Sequence, residues 1–315
     1  MALAIKRLLL SIPTLLGVSI LVFLLLHISG DPIRSLLPPD ATREQMILKR
    51  HELHLDEPLL VQYWYWLRDA LRGNFGVSWV GSQRPVAADL IKRLPATIEL
   101  AVTTMAIATF LAIGVALLSA RKPYGAFDSA ARTVIFVFLA APAFWLGIEL
   151  IILFSRRLHL LPPAGRGHDT ISDHLLHLAL PSITLGVGTA AALCRVLRAS
   201  MLEILTSDFV RTARAKGVSG RRVLVHHAFR NALIPFVTLS GLAVAGLLEG
   251  SIIVESIFAW PGLGQWMVDG IKGGDKPVVM AGVLLIAAVY TFVNLSVDLL
   301  YTVIDPRIRI GGGRA

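Results

Sequence analysis

The chain has 315 residues, 55% of them hydrophobic and 16% charged, with a formal net charge of +9 and a mean hydropathy of +0.69. This excludes an ordinary soluble domain, because the charges are confined to loops between apolar runs of bilayer-spanning length. The single cysteine, Cys194, lies inside one of those runs, which excludes an intrachain disulfide framework and a thiolate-built metal site and leaves a small packing residue.

Six runs reach the ~20 residues that a helix needs to cross a bilayer core. They are Leu8 to Ile28, Ile98 to Ala120, Thr133 to Phe154, Leu178 to Leu197, Ala232 to Val254 and Val278 to Ile304. Each reads as a helix, since a span in lipid must satisfy its own backbone hydrogen bonds. The expected fold is therefore all-α and polytopic, with six transmembrane helices. Residues 1–30 form an N-terminal span, 31–96 an external segment, 97–305 a five-helix core and 306–315 a tail. The first run is expected to be retained: Lys6 and Arg7 resemble the charged start of a signal peptide, but the run exceeds the ~7–15 apolar residues of one and no A-x-A site follows.

Within the external segment, PLLVQYWYWLRDALRGNFG predicts an amphipathic helix. Its Tyr63, Trp64, Tyr65 and Trp66 suit the membrane–water interface. The short stretch ARKPYGAFDSAAR follows the second span on the opposite side. The loop from Ser155 to His177 is turn-rich and external. His159, His168, His174 and His177 lie there, and their spacing matches no metal-binding helix or finger, so no metal site is expected. Gly186 with Ala190, and Gly246 with Gly250, have the small-xxx-small spacing that lets helix backbones approach closely in lipid.

The longest polar interruption of the second half is Arg198 to Pro235. It carries Arg198, Arg211, Arg214, Lys216, Arg221, Arg222 and Arg230 against only Glu203 and Asp208. It predicts two short helices joined at a glycine. Ser207 or Asp208 caps the first, Lys216 suits its C-terminal dipole, and Gly217 takes the left-handed conformation that ends it. Ser219 caps a second helix, Gly220 to Leu233, with a kink or break before Pro235. Lys6, Arg7, Arg121, Lys122, Arg132, this basic pair, Arg307, Arg309 and Arg314 all fall on one side. Arg156, Arg157, Arg166, Lys272 and Lys276 fall on the other. That bias puts both termini and the basic pair in the cytoplasm.

The last external loop contains Trp260, Pro261, Gly262, Gly264 and Trp266 and reads as a turn facing an external partner. Ionisable or polar groups at membrane depth face a bundle interior or wet cavity. Glu149, Glu249 and Asn294 are accordingly candidates to line a passage, while Arg195 and Asp298 snorkel or pair near the inner face. There is no phosphate-binding G-x-x-x-x-G-K-[ST] loop, nucleophile elbow, zinc-ligand helix or dinucleotide fingerprint. No catalytic constellation or selectivity filter supports a membrane enzyme or a channel acting alone, and the basic pair carries no base-reading pattern for nucleic acid.

The stretch DFVRTARAKGVSGRRVLVHHAFRNALIP resembles the cytoplasmic loop of permease subunits of bacterial ABC importers, in the dipeptide/oligopeptide/nickel branch. Ala213 and Gly217 match the alanine and glycine of that loop's Glu-Ala-Ala–x3–Gly motif. Arg211 and Thr212 depart from its glutamate and first alanine. The opening KRLLLSIPTLLGVSILVFLLLHISGDP, Gly73-Asn74-Phe75-Gly76, Leu94-Pro95-Ala96-Thr97, Glu255 to Gly264 and Asp305-Pro306-Arg307-Ile308-Arg309 are similar to family elements in the same order. The resemblance implies a type I importer permease fold in the bacterial cytoplasmic membrane. It implies a second related permease, two cytosolic ATPase subunits that bind ATP and magnesium, and an external substrate-binding protein; this chain itself would need no cofactor. It also implies that Asp208, Arg211, Thr212, Ala213, Arg214, Ala215, Lys216 and Gly217 couple the ATPases to the spans. Short peptides are the expected cargo, with nickel chelates or glutathione as alternatives.

Overall fold

The computed structural model describes residues 2–28, 33, 37, 41–80, 84–167 and 170–304, with side chains omitted at 2–9, 249–250 and 298–304. Its helices are α1 (Ala2–Ile28), α2 (Arg43–Glu52), α3 (Leu59–Ala70), α4 (Val86–Arg121), α5 (Ala126–Ala140), α6 (Ala143–Leu150), α7 (Ile171–Leu205), α8 (Asp208–Ala215), α9 (Gly220–Arg222), α10 (Arg230–Ile257), α11 (Leu263–Gly273) and α12 (Lys276–Ile304). Two π-helical stretches, Ile151–Arg157 and Val223–Phe229, continue α6 and α9. The all-α expectation holds: among the described residues the one β contact is an isolated bridge, Val77 to Pro85. Five helices are long and apolar enough to cross a membrane, and the bent pair α5–α6 makes six if it acts as one span.

The chain groups into two compact units: Met1–Thr97 with Pro261–Phe292, and Ile98–Trp260 with Val293–Ala315. The segment expected to be a single core, 97–305, is thus divided between them. In the first unit, α3 lies on α1. The Ser19 and Tyr63 hydroxyls meet at 2.8 Å, His27 Nε2 and Gln62 Oε1 at 2.9 Å, and the Phe23 and Tyr63 rings stand edge to face. Tyr63 therefore packs on a helix, whereas Trp64 keeps the exposed position expected for an interfacial ring. Helix α2 was not legible from the apolar pattern. It is set by a capping box in which Thr42 and Gln45 exchange side-chain and backbone hydrogen bonds.

The core of the first unit is Val86 and Leu90 of α4, Leu263, Trp266 and Met267 of α11, and Val278 and Ala281 of α12. At Gly282 an added Cβ would lie 2.7 Å from Met267 Sδ, so α11 and α12 touch backbone to side chain. Asp275, 2% exposed, caps α12 and gathers a loop from far away in sequence. Ser78 Oγ donates to its carboxylate at 2.5 Å and the Val80 N–H at 3.2 Å. Asp275→Ala should cost about 1–3 kcal/mol by orphaning these buried donors. Limited proteolysis of the purified transporter should then cut near Ser78 faster than in the wild type.

The second unit is centred on α7, half of whose apolar window is buried, against 11% for α1. Ala108, Ala112, Ala116 and Ala120 form an i, i+4 stripe on α4 that meets Ala190, Ala191, Leu193, Cys194, Leu197 and Met201 of α7. Lipid gives helices no hydrophobic reason to associate, so small residues that let backbones close in are what packs them. Gly186 follows this rule, with a virtual Cβ 3.4 Å from Ile107 Cγ2; Gly246 has open space, and Gly250 lies outside the described side chains.

Several boundaries differ from expectation. Helix α4 starts at Val86, so Pro95 lies within it rather than at its entry, and α7 extends well beyond the expected span at both ends. The third run is not one straight helix: α5 and α6 meet at 106°. Ala141, before Pro142, is extended at φ −73° and ψ 125°. The new direction seats Gly147 flat on Phe258 and Thr184, where a Cβ would come within 3.2–3.3 Å. At Pro235 no break occurs and α10 runs through it, at the loss of one backbone donor. Gly264 sits inside α11 rather than in a turn.

Candidate functional site

The basic interruption lies wholly in the second unit. Helix α7 ends at Thr206, whose hydroxyl donates back to the Glu203 carbonyl at 2.8 Å. Ser207 takes the N-cap position of α8 with φ −69° and ψ 156°, but its hydroxyl donates to the Ile204 carbonyl at 2.5 Å rather than capping α8. Neither Ser207 nor Ser219 makes the expected side-chain cap. The carboxylate of Asp208 in the first turn still suits the helix dipole.

Val210 is the one buried residue of α8. Asp208, Phe209, Arg211, Thr212, Arg214 and Ala215 are exposed, Ala213 half-buried. The Asp208–Arg211 ion pair, 3.4 Å long, has both side chains at least 80% exposed, so it adds little to stability. Gly217 ends the helix at φ +80°, as the sequence predicts. Its N–H donates to the Arg214 carbonyl at 2.9 Å, and the Val218 N–H to Ala213 at 3.2 Å. The expected second helix is no separate unit: α9, the π-helical turn and α10 form one continuous rod. Phe209 meets His227 of that π-helical turn edge-on at 6.4 Å. The exposed eight-residue helix is therefore fixed on one side by α7 and on the other by the rod.

One ion pair stiffens the entry to this elbow. Arg198 of α7 grips Asp128 of α5 with two hydrogen bonds, Nε to Oδ1 and Nη2 to Oδ2, both 2.6 Å. Asp128 also accepts the Tyr124 N–H at 2.8 Å, and its side chain is fully buried. Nothing in ARKPYGAFDSAAR singled this aspartate out; the available signal was an acid about one turn before an apolar run, in a stretch otherwise carrying cations.

A second polar cluster lies at the other end of α4 and α7. Glu99 accepts from Arg166 Nη2 at 2.7 Å and is also paired with His174, whose Nδ1 hydrogen-bonds the Arg166 carbonyl at 2.7 Å. Arg166 lies over the Trp260 ring at 5.7 Å. His174 and His177 belong to α7 rather than to a loop, while His168 lies outside the described residues. Trp260 is fully buried in this cluster and Trp266 is 6% exposed in the core of the other unit. Gly262 is buried at the N-cap of α11, and Pro261 is half-buried beside it. The expectation that these rings present themselves to an external partner therefore fails on burial.

Of the expected passage residues, Glu149 and Asn294 have described side chains. Glu149 is exposed on α6, Asn294 is half-buried on α12, and Glu249 and Asp298 lie outside the described side chains. No group of three or more potential metal-ligating side chains occurs among the described residues. The arrangement is an exposed short helix held between the end of one long helix and the start of another.

Residues 108–310 match the model of the binding-protein-dependent transport system inner membrane component, and residues 1–101 match the N-terminal model of the same membrane component. The chain belongs to this family. The glutathione transport system permease protein GsiC of Escherichia coli (strain K12) is 43% identical over 310 residues, covering 97% of this chain and 98% of that protein. GsiC of Shigella flexneri serotype 5b (strain 8401) matches equally. Among solved structures, the MetNI methionine ABC transporter in inward-facing conformations superposes with a TM-score of 0.57 at 16% identity, covering 69% of this chain and 96% of that one. An amino acid ABC transporter with histidines gives a TM-score of 0.51 at 18% identity, covering 70% of this chain and 94% of that one. The binding-protein-dependent permease is thus a multi-span subunit of an ABC importer, in the peptide/glutathione/nickel branch, with the type I permease fold. In such a transporter ATP is hydrolysed by partner subunits.

Proposed function

We propose that this permease carries short peptides inward and that Asp208 to Gly217 is the segment through which a cytosolic ATPase moves the spans. The observation that carries the second part is the exposed α8, pinned between α7 and the rod that begins at α9 and closed by left-handed Gly217. A helix so held transmits displacement to both neighbours as a rigid body. The termini and α8 face the cytoplasm in this reading, in agreement with the distribution of Lys and Arg. A second related permease completes the passage, with Glu149, Glu249 and Asn294 as candidates to face it. Two ATPases hold ATP and magnesium, and an external binding protein delivers cargo.

Glutathione is the first cargo to test, because the 43%-identical relatives are glutathione permeases by name. Cells carrying the complete transporter should accumulate labelled glutathione, and deletion of this subunit alone should abolish the uptake. Glutathione accumulation unaffected by the deletion, with uptake of a labelled dipeptide lost, would move the cargo to other short peptides. Loss of neither would reject the peptide class.

A further inference from the structure

A cavity of about 1060 Å³ in the second unit lies between the end of α4, the end of α7, α8 and the start of the rod. Three arginines from three different elements line it: Arg121 of α4, Arg214 of α8 and Arg221 of α9. No aspartate or glutamate lines it, and among the described residues no carboxylate pairs with any of the three. The rest of the wall is largely apolar, with Leu118, Leu202 and Leu224 prominent. All three are solvent-exposed, and an anion in the cavity would be attracted by each of them. Guanidinium groups suit phosphate oxygens in particular, because their forked N–H donors match them in pairs. Arg121 is also the residue at which the long apolar helix α4 ends.

We propose that this cavity binds an anionic phospholipid, its phosphate on Arg121, Arg214 and Arg221 and its acyl chains along the leucine wall. The apolar wall favours a lipid over a free anion, and the cationic rim favours an anionic over a zwitterionic headgroup. Because Arg214 belongs to α8, the bound lipid ties the elbow to the end of α4. This role is independent of which cargo the transporter carries.

The complete transporter, in nanodiscs of phosphatidylcholine with phosphatidylglycerol, should retain phosphatidylglycerol selectively when lipids are counted by native mass spectrometry. Arg121→Gln with Arg221→Gln should weaken retention by about 25-fold, about fivefold for each cation removed near the surface. Arg121→Lys with Arg221→Lys should keep most of it. If the glutamine pair does not assemble, Arg221→Gln alone should show the fivefold loss. Equal retention by wild type and glutamine variants would overturn the proposal. So would displacement of the lipid by inorganic phosphate alone, which would indicate a free-anion site. A photoreactive residue at Leu205 should capture lipid, and capture of an acidic ATPase segment in its place would equally overturn it.

Discussion

Asp128→Asn is expected to destabilise the purified permease complex by about 3 kcal/mol and to lower its yield from membranes. The carboxylate is fully buried and is the acceptor for both Arg198 hydrogen bonds and for the Tyr124 N–H. Removing one partner of a buried pair costs about 3–5 kcal/mol, because the remaining charge stays desolvated and unpaired. The Arg198 side chain is 14% exposed, so some of that cost is relieved by water and the lower end of the range applies. Arg132, 3.9 Å from the same carboxylate, would lose its counter-charge as well. The paired replacement Asp128→Leu with Arg198→Leu should recover most of the loss, since no charge is then stranded. The thermal unfolding of the wild type, Asp128→Leu, Arg198→Leu and the double leucine variant makes a complete cycle. A melting temperature unchanged in Asp128→Asn would show that the pair does not stiffen the elbow.

Gly217→Val should reduce substrate uptake about tenfold or more while leaving assembly with the ATPases detectable. At φ +80° a left-handed residue with a Cβ is strained by roughly 1–2 kcal/mol, and a β-branched side chain fits this region worst. A Cβ at Gly217 would meet nothing within 4 Å, so the loss would come from backbone conformation and not from a clash inside this chain. The strain is relieved by turning the end of α8, and that alters the angle at which it meets an ATPase. Gly217→Asn tolerates the left-handed region and should retain most uptake. Gly217→Asp tolerates it too, but adds a negative charge beside carbonyls that already carry partial negative charge, and should fall between the two. If Gly217→Val transports at the wild-type rate, α8 is not the coupling segment.

The elbow was legible because it depends on local rules. Gly217 ends a helix at φ +80°, and a run of arginines between apolar stretches marks a segment outside the hydrocarbon. The caps were misread because a hydroxyl beside a helix end has two choices of partner, and Ser207 takes the carbonyl of Ile204. The two X-Pro steps show the same limit. Ala141-Pro142 breaks the helix and Ile234-Pro235 does not. Local bias is similar at both, and the outcome follows from where each following segment must pack. Glu99 and Asp128 were missed for a related reason. Each stands one turn from the end of an apolar run, and only its partner, 67 or 70 residues away, distinguishes it from a snorkelling surface acid.

Read alone, the residues give the all-helical membrane class, the apolar runs long enough to span and the glycine that closes α8. These follow from hydropathy, charge and backbone sterics, which act over a few residues at a time. Tertiary structure decided that Trp260 and Trp266 are interior, that the third crossing is bent, that Asp128 belongs to Arg198, and that three arginines share one cavity. Each depends on which helix faces which, and in lipid that choice rests on close backbone approach and on rare buried charges finding partners, neither of which leaves a periodic trace along the chain.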